Sequence, residues 1–155
     1  LGICLAERRN LLISAGVDRV VRLWDWRCPP LSACTGKMDG HNGSVTAVAA
    51  EEDGNQLYSG SLDKSLKLWD LGSRRCVDTM LGHVDGVTCM DLYHKGRPLT
   101  GSSDKTVRMW KVDKDTHLMF NKHVYSVDAV AVADSDRFLS GSQDGKLMFW
   151  SSASK

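Results

Sequence analysis

Three side-chain types able to do chemistry together, a hydroxyl, an imidazole and a carboxylate, recur at fixed offsets along this 155-residue chain. The stretch LTGSSDKTVRMW, residues 99–110, carries Thr100, Asp104 and Trp110, and His83 stands upstream of it. A Ser or Thr that gives its proton to a histidine oriented by an aspartate is an activated nucleophile, so hydrolysis is the first chemistry to weigh. The same spacing of hydroxyl, Asp and Trp returns in SAGVDRVVRLW (14–24), SGSLDKSLKLW (59–69) and SGSQDGKLMFW (140–150). Catalysis needs one such site with an oxyanion hole beside it, whereas here a Trp accompanies the trio every time. Repetition favours a structural role: a buried chain in which Asp accepts from His, His meets the hydroxyl, and the hydroxyl accepts from the indole N–H.

The elements that must hold these residues are strands. Apolar residues alternate at period two in Leu66 and Leu68, Val107 and Met109, and Leu147 and Phe149, and no helical period appears. In the third copy the pattern predicts strands over 76–80, 87–92, 99–102 and 106–110, with turns at Gly72-Ser73, Gly82, Lys95-Gly96 and Ser103-Asp104. Trp24, Trp69, Trp110 and Trp150 recur at about 40 residues, the length of a supersecondary unit. The span 1–155 therefore divides into repeats over approximately 1–34, 35–75, 76–115 and 116–155.

Bulk properties narrow the function classes. With 42% apolar residues the chain can bury a core, and 20 Lys and Arg against 19 Asp and Glu leave a formal charge of +1, too little for a global field that attracts nucleic acid or membrane. The five cysteines (Cys4, Cys28, Cys34, Cys76, Cys89) form no CxxC pair, which argues against a disulfide framework and a zinc site and for reduced thiols inside a cell. No run reaches the roughly 18 apolar residues of a membrane span, no membrane partner is expected, and no basic region precedes an apolar run as in a signal peptide. The chain opens on Leu1 without a Met and reads as a piece of a longer polypeptide.

Gly40-His41, Gly82-His83 and Lys122-His123 precede the Asp of their units by 22, 21 and 21 residues, and with the Trp near each unit's end these residues resemble the WD40 repeat family, whose repeat carries a Gly-His near its start and a Trp-Asp near its end, over almost the whole chain. The resemblance implies an all-β fold, a WD40 β-propeller of which this chain supplies about four blades of seven, the remaining blades coming from the parent chain. It also implies complete sets His41-Ser59-Asp63-Trp69, His83-Thr100-Asp104-Trp110 and His123-Ser140-Asp144-Trp150, with Ser14, Asp18 and Trp24 in a first unit whose histidine would lie before Leu1. Two departures stand out: Lys122 replaces the Gly before His123, which strains that turn if the position needs positive φ, and Lys111 and Ser151 follow Trp110 and Trp150 where Asp is common. No catalytic residue, metal site or cofactor is implied.

In such a propeller one rim displays Arg19, Lys64, Lys105 and Lys122 together with Asn42, Asp85 and Tyr125, the candidate partner surface. The opposite rim mixes Arg8, Arg9, Arg74, Arg75, Lys95 and Arg97 with Glu51, Glu52, Asp53, Asp134 and Asp136, whose charges nearly cancel. Neither rim interleaves aromatics as a single-strand RNA platform does. Within the family, NQLYSGSLDKSLKLWDL, GHVDGVTCMDL, VRMWKVDKDTHLMF and HVYSVDAVAVADSDRFLSGSQDGKLMFW resemble the WD-repeat proteins of the U3 small nucleolar ribonucleoprotein. That resemblance implies a non-enzymatic nucleolar component, with U3 small nucleolar RNA and proteins of the particle as partners, acting in pre-ribosomal RNA processing toward the small subunit. The competing expectation is a scaffold, nuclear or cytoplasmic, that recruits peptides, signalling proteins or ubiquitin-ligase substrates.

Overall fold

Short runs that alternate apolar and polar residues can bury a face only by pairing into sheets and stacking the sheets, and the computed structural model shows this solution four times over. It describes residues 2–29, 33–93, 96–114 and 116–152. Strands β1 (Gly2–Ala6), β2 (Leu11–Ala15), β3 (Val21–Asp25) and β4 (Cys34–Met38) pair in order as one antiparallel sheet. A second holds β5 (Val45–Ala50), β6 (Gln56–Ser61), β7 (Ser65–Asp70) and β8 (Arg75–Leu81), and a third holds β9 (Val87–Tyr93), β10 (Arg97–Ser102), β11 (Val107–Lys111) and β12 (Thr116–Phe120). The fourth consists of β13 (Val127–Val132), β14 (Arg137–Ser142) and β15 (Leu147–Ser151). Among the described residues helix is limited to two single 3-10 turns, Glu7–Arg9 and Val112–Lys114.

The first strands of the four sheets, β1, β5, β9 and β13, adjoin one another in sequence order, so the sheets are blades of a partial propeller ring. Side chains tie neighbouring inner strands together. Thr46 Oγ1 donates to the Val87 carbonyl at 2.6 Å, Thr88 Oγ1 donates to the Val127 carbonyl, and the Val132 amide donates to Asp91 Oδ2 at 2.7 Å. The strand expected over 76–80 is β8, and it pairs with β7 of the second sheet. Sequence unit and sheet are therefore out of step by one strand, and each unit opens by closing its predecessor's blade.

The core lies between blades. Leu23, Val21 and Ile13 of the first blade meet Val45, Leu57 and Trp69 of the second; Leu66, Leu68 and Tyr58 of the second meet Trp110 of the third; Leu99, Val107 and Phe120 of the third meet Val127 and Phe138 of the fourth. Trp69, Trp110 and Trp150 thus point into the preceding blade. Burying an apolar side chain of this size contributes roughly 1.5–3 kcal/mol, so the ring spacing depends on these anchors.

Candidate functional site

In the second and third blades the hydroxyl, imidazole, carboxylate and indole converge. Trp69 Nε1 donates to Ser59 Oγ at 2.7 Å, Ser59 Oγ meets His41 Nε2 at 2.7 Å, and His41 Nδ1 donates to Asp63 Oδ2 at 2.8 Å. Trp110, Thr100, His83 and Asp104 repeat the chain at 2.8 Å for every link. The carboxylates are saturated. Asp63 also accepts from the Asn42 amide and from the amide and hydroxyl of Ser65, and Asp104 from the Val84 amide and from the amide and hydroxyl of Thr106. Burial alone would raise both carboxyls, but these bonds outweigh it and hold each well below the ordinary carboxylate range. Burial lowers His41 and His83, with their aspartates opposing, so both rings are neutral near pH 7 and carry the proton on Nδ1.

That geometry decides between nucleophile and wall. Ser59 and Thr100 are completely buried, and each hydroxyl is held between an indole donor and an imidazole, so neither can reach a substrate. Ser65 and Thr106 are members of the network that the spacing argument overlooked, although a Ser or Thr two residues after the Asp in both middle copies marks them. The half-buried thiols are likewise inert: desolvation pushes Cys4 up to about 12 and Cys89 up to about 11, far from the thiolate a nucleophile needs.

The fourth blade departs from the expected set. Trp150 Nε1 donates to Ser140 Oγ and His123 Nε2 meets the same oxygen, but Asp144 does not bond His123. Its Oδ1 accepts from the Lys146 amide, its Oδ2 lies 3.7 Å from Lys146 Nζ, and His123 Nδ1 is buried without a partner. The reason is local: Lys146 stands where Ser65 and Thr106 stand, so an ammonium takes the carboxylate where a hydroxyl would brace it. In the first blade Trp24 Nε1 donates to Ser14 Oγ at 2.8 Å, while Asp18 turns to Arg22 at 2.5 Å. The strain expected at Lys122 is absent as well, since Lys122 has no positive φ. At its counterpart Gly82 space is tight: a Cβ there would stand 2.6 Å from Arg108 Nη1 and 3.1 Å from the His117 and Trp110 rings. Lys122, at the same position in the fourth blade, reaches over that blade's own Trp, with Nζ 5.9 Å from the Trp150 ring centroid.

All tetrads open onto one rim, because the β6–β7 and β10–β11 turns bond the loops that carry the histidines: the Leu62 amide to the Ser44 carbonyl and the Ser103 amide to the Gly86 carbonyl. Arg19, Lys64 and Lys105 occupy the same left-handed position of successive turns, with φ of 67°, 72° and 69°, and Gly145 takes it in the fourth blade at 76°. All three cations are exposed, as are Asn42, Asp85, Lys122 and Tyr125. Apolar groups that charge counting missed share this rim: Val17, Leu62, Val84 and Val124 are 49–73% exposed. Val84 and Val124 directly follow the tetrad histidines, and Val17 and Leu62 directly precede the turn aspartates, a signal visible only once both loops are placed together. Lys95 of the opposite rim lies outside the described residues.

The WD domain, G-beta repeat profile matches residues 1–25, 32–70, 74–111 and 115–151. The chain belongs to the WD40 repeat family. It is 30% identical over 152 residues to the U3 snoRNP-associated protein-like EMB2271 of Arabidopsis thaliana, covering 97% of this chain and 31% of that relative. Among solved structures, the one described as U3-55K superposes with a TM-score of 0.92 at 27% identity, covering 100% of this chain and 47% of the other. The RRP9 WD40 repeats superpose with a TM-score of 0.92 at 28% identity, with 100% and 46% coverage. This WD40 chain thus spans about half the length of the solved relatives and a third of the curated one.

Proposed function

We propose that this WD40 chain serves as a non-enzymatic scaffold in a U3-type small nucleolar ribonucleoprotein, placed in the nucleolus and acting in pre-ribosomal RNA processing. The observation that carries the reading is the row of Arg19, Lys64 and Lys105 at one turn position of three successive blades, in a chain similar to proteins named for the U3 snoRNP. A row of cations along one rim suits the phosphates of an RNA strand, while the shape of the RNA and a protein partner supply selectivity. Val17, Leu62, Val84 and Val124 between these cations favour a protein partner on the same rim, which is also what a peptide-recruiting scaffold would need.

The test is a salt titration of binding to the U3 RNA with its small RNA-binding protein, using wild type and a variant with Arg19→Glu, Lys64→Glu and Lys105→Glu together. The variant is expected to bind more weakly, with a slope of log affinity against log salt lower by roughly 0.7 for each lost single-strand phosphate contact. Folding survives, since exchanging one exposed non-glycine residue for another usually changes stability by only about 0.5 kcal/mol. Unchanged affinity and slope in the folded variant would show this rim to be idle toward RNA.

A further inference from the structure

On the rim opposite the tetrads, the position after each blade's Trp holds Asp25, Asp70, Lys111 and Ser151. The two aspartates serve their own turns. Asp25 accepts from the Arg27 amide and guanidinium, and Asp70 accepts from the Gly72 and Ser73 amides and the Ser73 hydroxyl. Lys111 can accept nothing, and the chain leaves it through the 3-10 turn Val112–Lys114. Lys111 then lines a groove of about 210 Å³ between the second and third blades. Leu68 and Val112 supply apolar walls, and Arg97 and Lys114 stand beside Lys111. Tyr58 Oη closes one side by donating to the Gly96 carbonyl at 3.0 Å.

The charges in this groove do not balance, although those of the rim as a whole do. Among the described side chains, Arg97, Lys111 and Lys114 share the lining with one carboxylate, Glu51, and none of the three cations makes an ion pair. Glu51 lies against Gly96, where a Cβ would fall 1.7 Å from its Oε1, and burial raises its pKa. The groove is smaller than the roughly 300 Å³ at which small-molecule pockets begin, and its one aromatic ring, Tyr58, is 1% exposed and offers no stacking face to a base. The space suits a carboxylate on a short apolar stem.

We propose that this groove docks an acidic side chain from an extended segment of a partner protein, its carboxylate between Lys111, Arg97 and Lys114 and its methylenes over Leu68 and Val112. The site lies on the rim opposite the RNA-facing cations and does not depend on the RNA reading.

Fluorescence anisotropy of labelled hexaglutamate against the full chain tests it, with labelled oligouridylate as a second arm. Lys111→Asp with Lys114→Glu is expected to weaken hexaglutamate binding by about tenfold or more, while the Arg19→Glu, Lys64→Glu, Lys105→Glu variant binds hexaglutamate as wild type does. Melting curves establish that each variant is folded, and if the double variant fails to fold, Lys111→Gln takes its place with a smaller loss in the same direction. Hexaglutamate binding that is absent from wild type, or untouched by the groove variants, overturns the proposal. Oligouridylate binding that is lost with Lys111 while hexaglutamate binding is not overturns it in favour of a nucleic-acid groove.

Discussion

Asp104 and Asp144 occupy the same place in successive repeats and do different work. Asp104 accepts from His83, Val84 and Thr106, whereas among the described residues Asp144 accepts from the Lys146 amide alone and lies near its ammonium. Asp104→Ala strands a buried imidazole and two amides and is expected to cost about 1–3 kcal/mol; Asp144→Ala leaves His123 as it was and is expected to stay within about 0.5 kcal/mol. Chemical denaturation of both variants checks the contrast, and equal losses would contradict it. The same residues set a pH response. Burial lowers the folded-state pKa of His41, His83 and His123 below 6.5, so below that value the unfolded chain takes up protons that the native rings refuse. Stability present at neutral pH is therefore lost as pH falls from about 6.5. Asp63 and Asp104, held below their ordinary 3.8, add a second loss as pH falls below that value. Calorimetric scans should show Tm declining between pH 7 and 5 and more steeply below 4; a flat Tm from pH 7 to 5 would contradict the neutral buried imidazoles.

At the scale of the element, the tight turn between the second and third strands of each blade governs what the rim displays. A side chain in the left-handed region costs about 1–2 kcal/mol relative to the right-handed one, yet Arg19, Lys64 and Lys105 all sit there. Lys105→Gly removes that cost and adds roughly 0.5–1 kcal/mol of unfolded-chain entropy, so a net gain of up to about 1 kcal/mol is expected in the denaturation midpoint, at the expense of one rim charge. A loss of stability would mean that Lys105 makes a folding contact. The strands and the tetrads of the middle blades were legible because period two and the return of Ser or Thr, Asp and Trp are local patterns. The pairing of β8 with the blade before it and the apolar rim around Leu62 and Val84 were not, because each depends on which strands and loops the blades bring together; the left-handed turns and the turning of Asp144 to Lys146 are local, but their signals, the residue after the Asp and the Lys two residues after Asp144, lie outside the repeated Ser or Thr, Asp and Trp.

Across the whole molecule, four blades present two apolar flanks. Ile3 and Leu5 are 67% and 53% exposed on the first blade, and Leu147 and Phe149 are 69% and 80% exposed on the last; their counterparts Val48, Val107 and Met109 pack between blades. These flanks have the apolar character of the surfaces that pack between blades, and the two rims differ from them: one carries cations at a repeated turn position, the other the Lys111 groove. RNA along the first rim is what the repeated cations support. Ultraviolet crosslinking of the protein in cells, with sequencing of the recovered RNA and mapping of the crosslinked peptides, tests it most directly. Enrichment of U3 small nucleolar RNA, with crosslinks at the turns bearing Arg19, Lys64 and Lys105, is the expected result; recovery of no RNA, or of crosslinks confined to other surfaces, would contradict it.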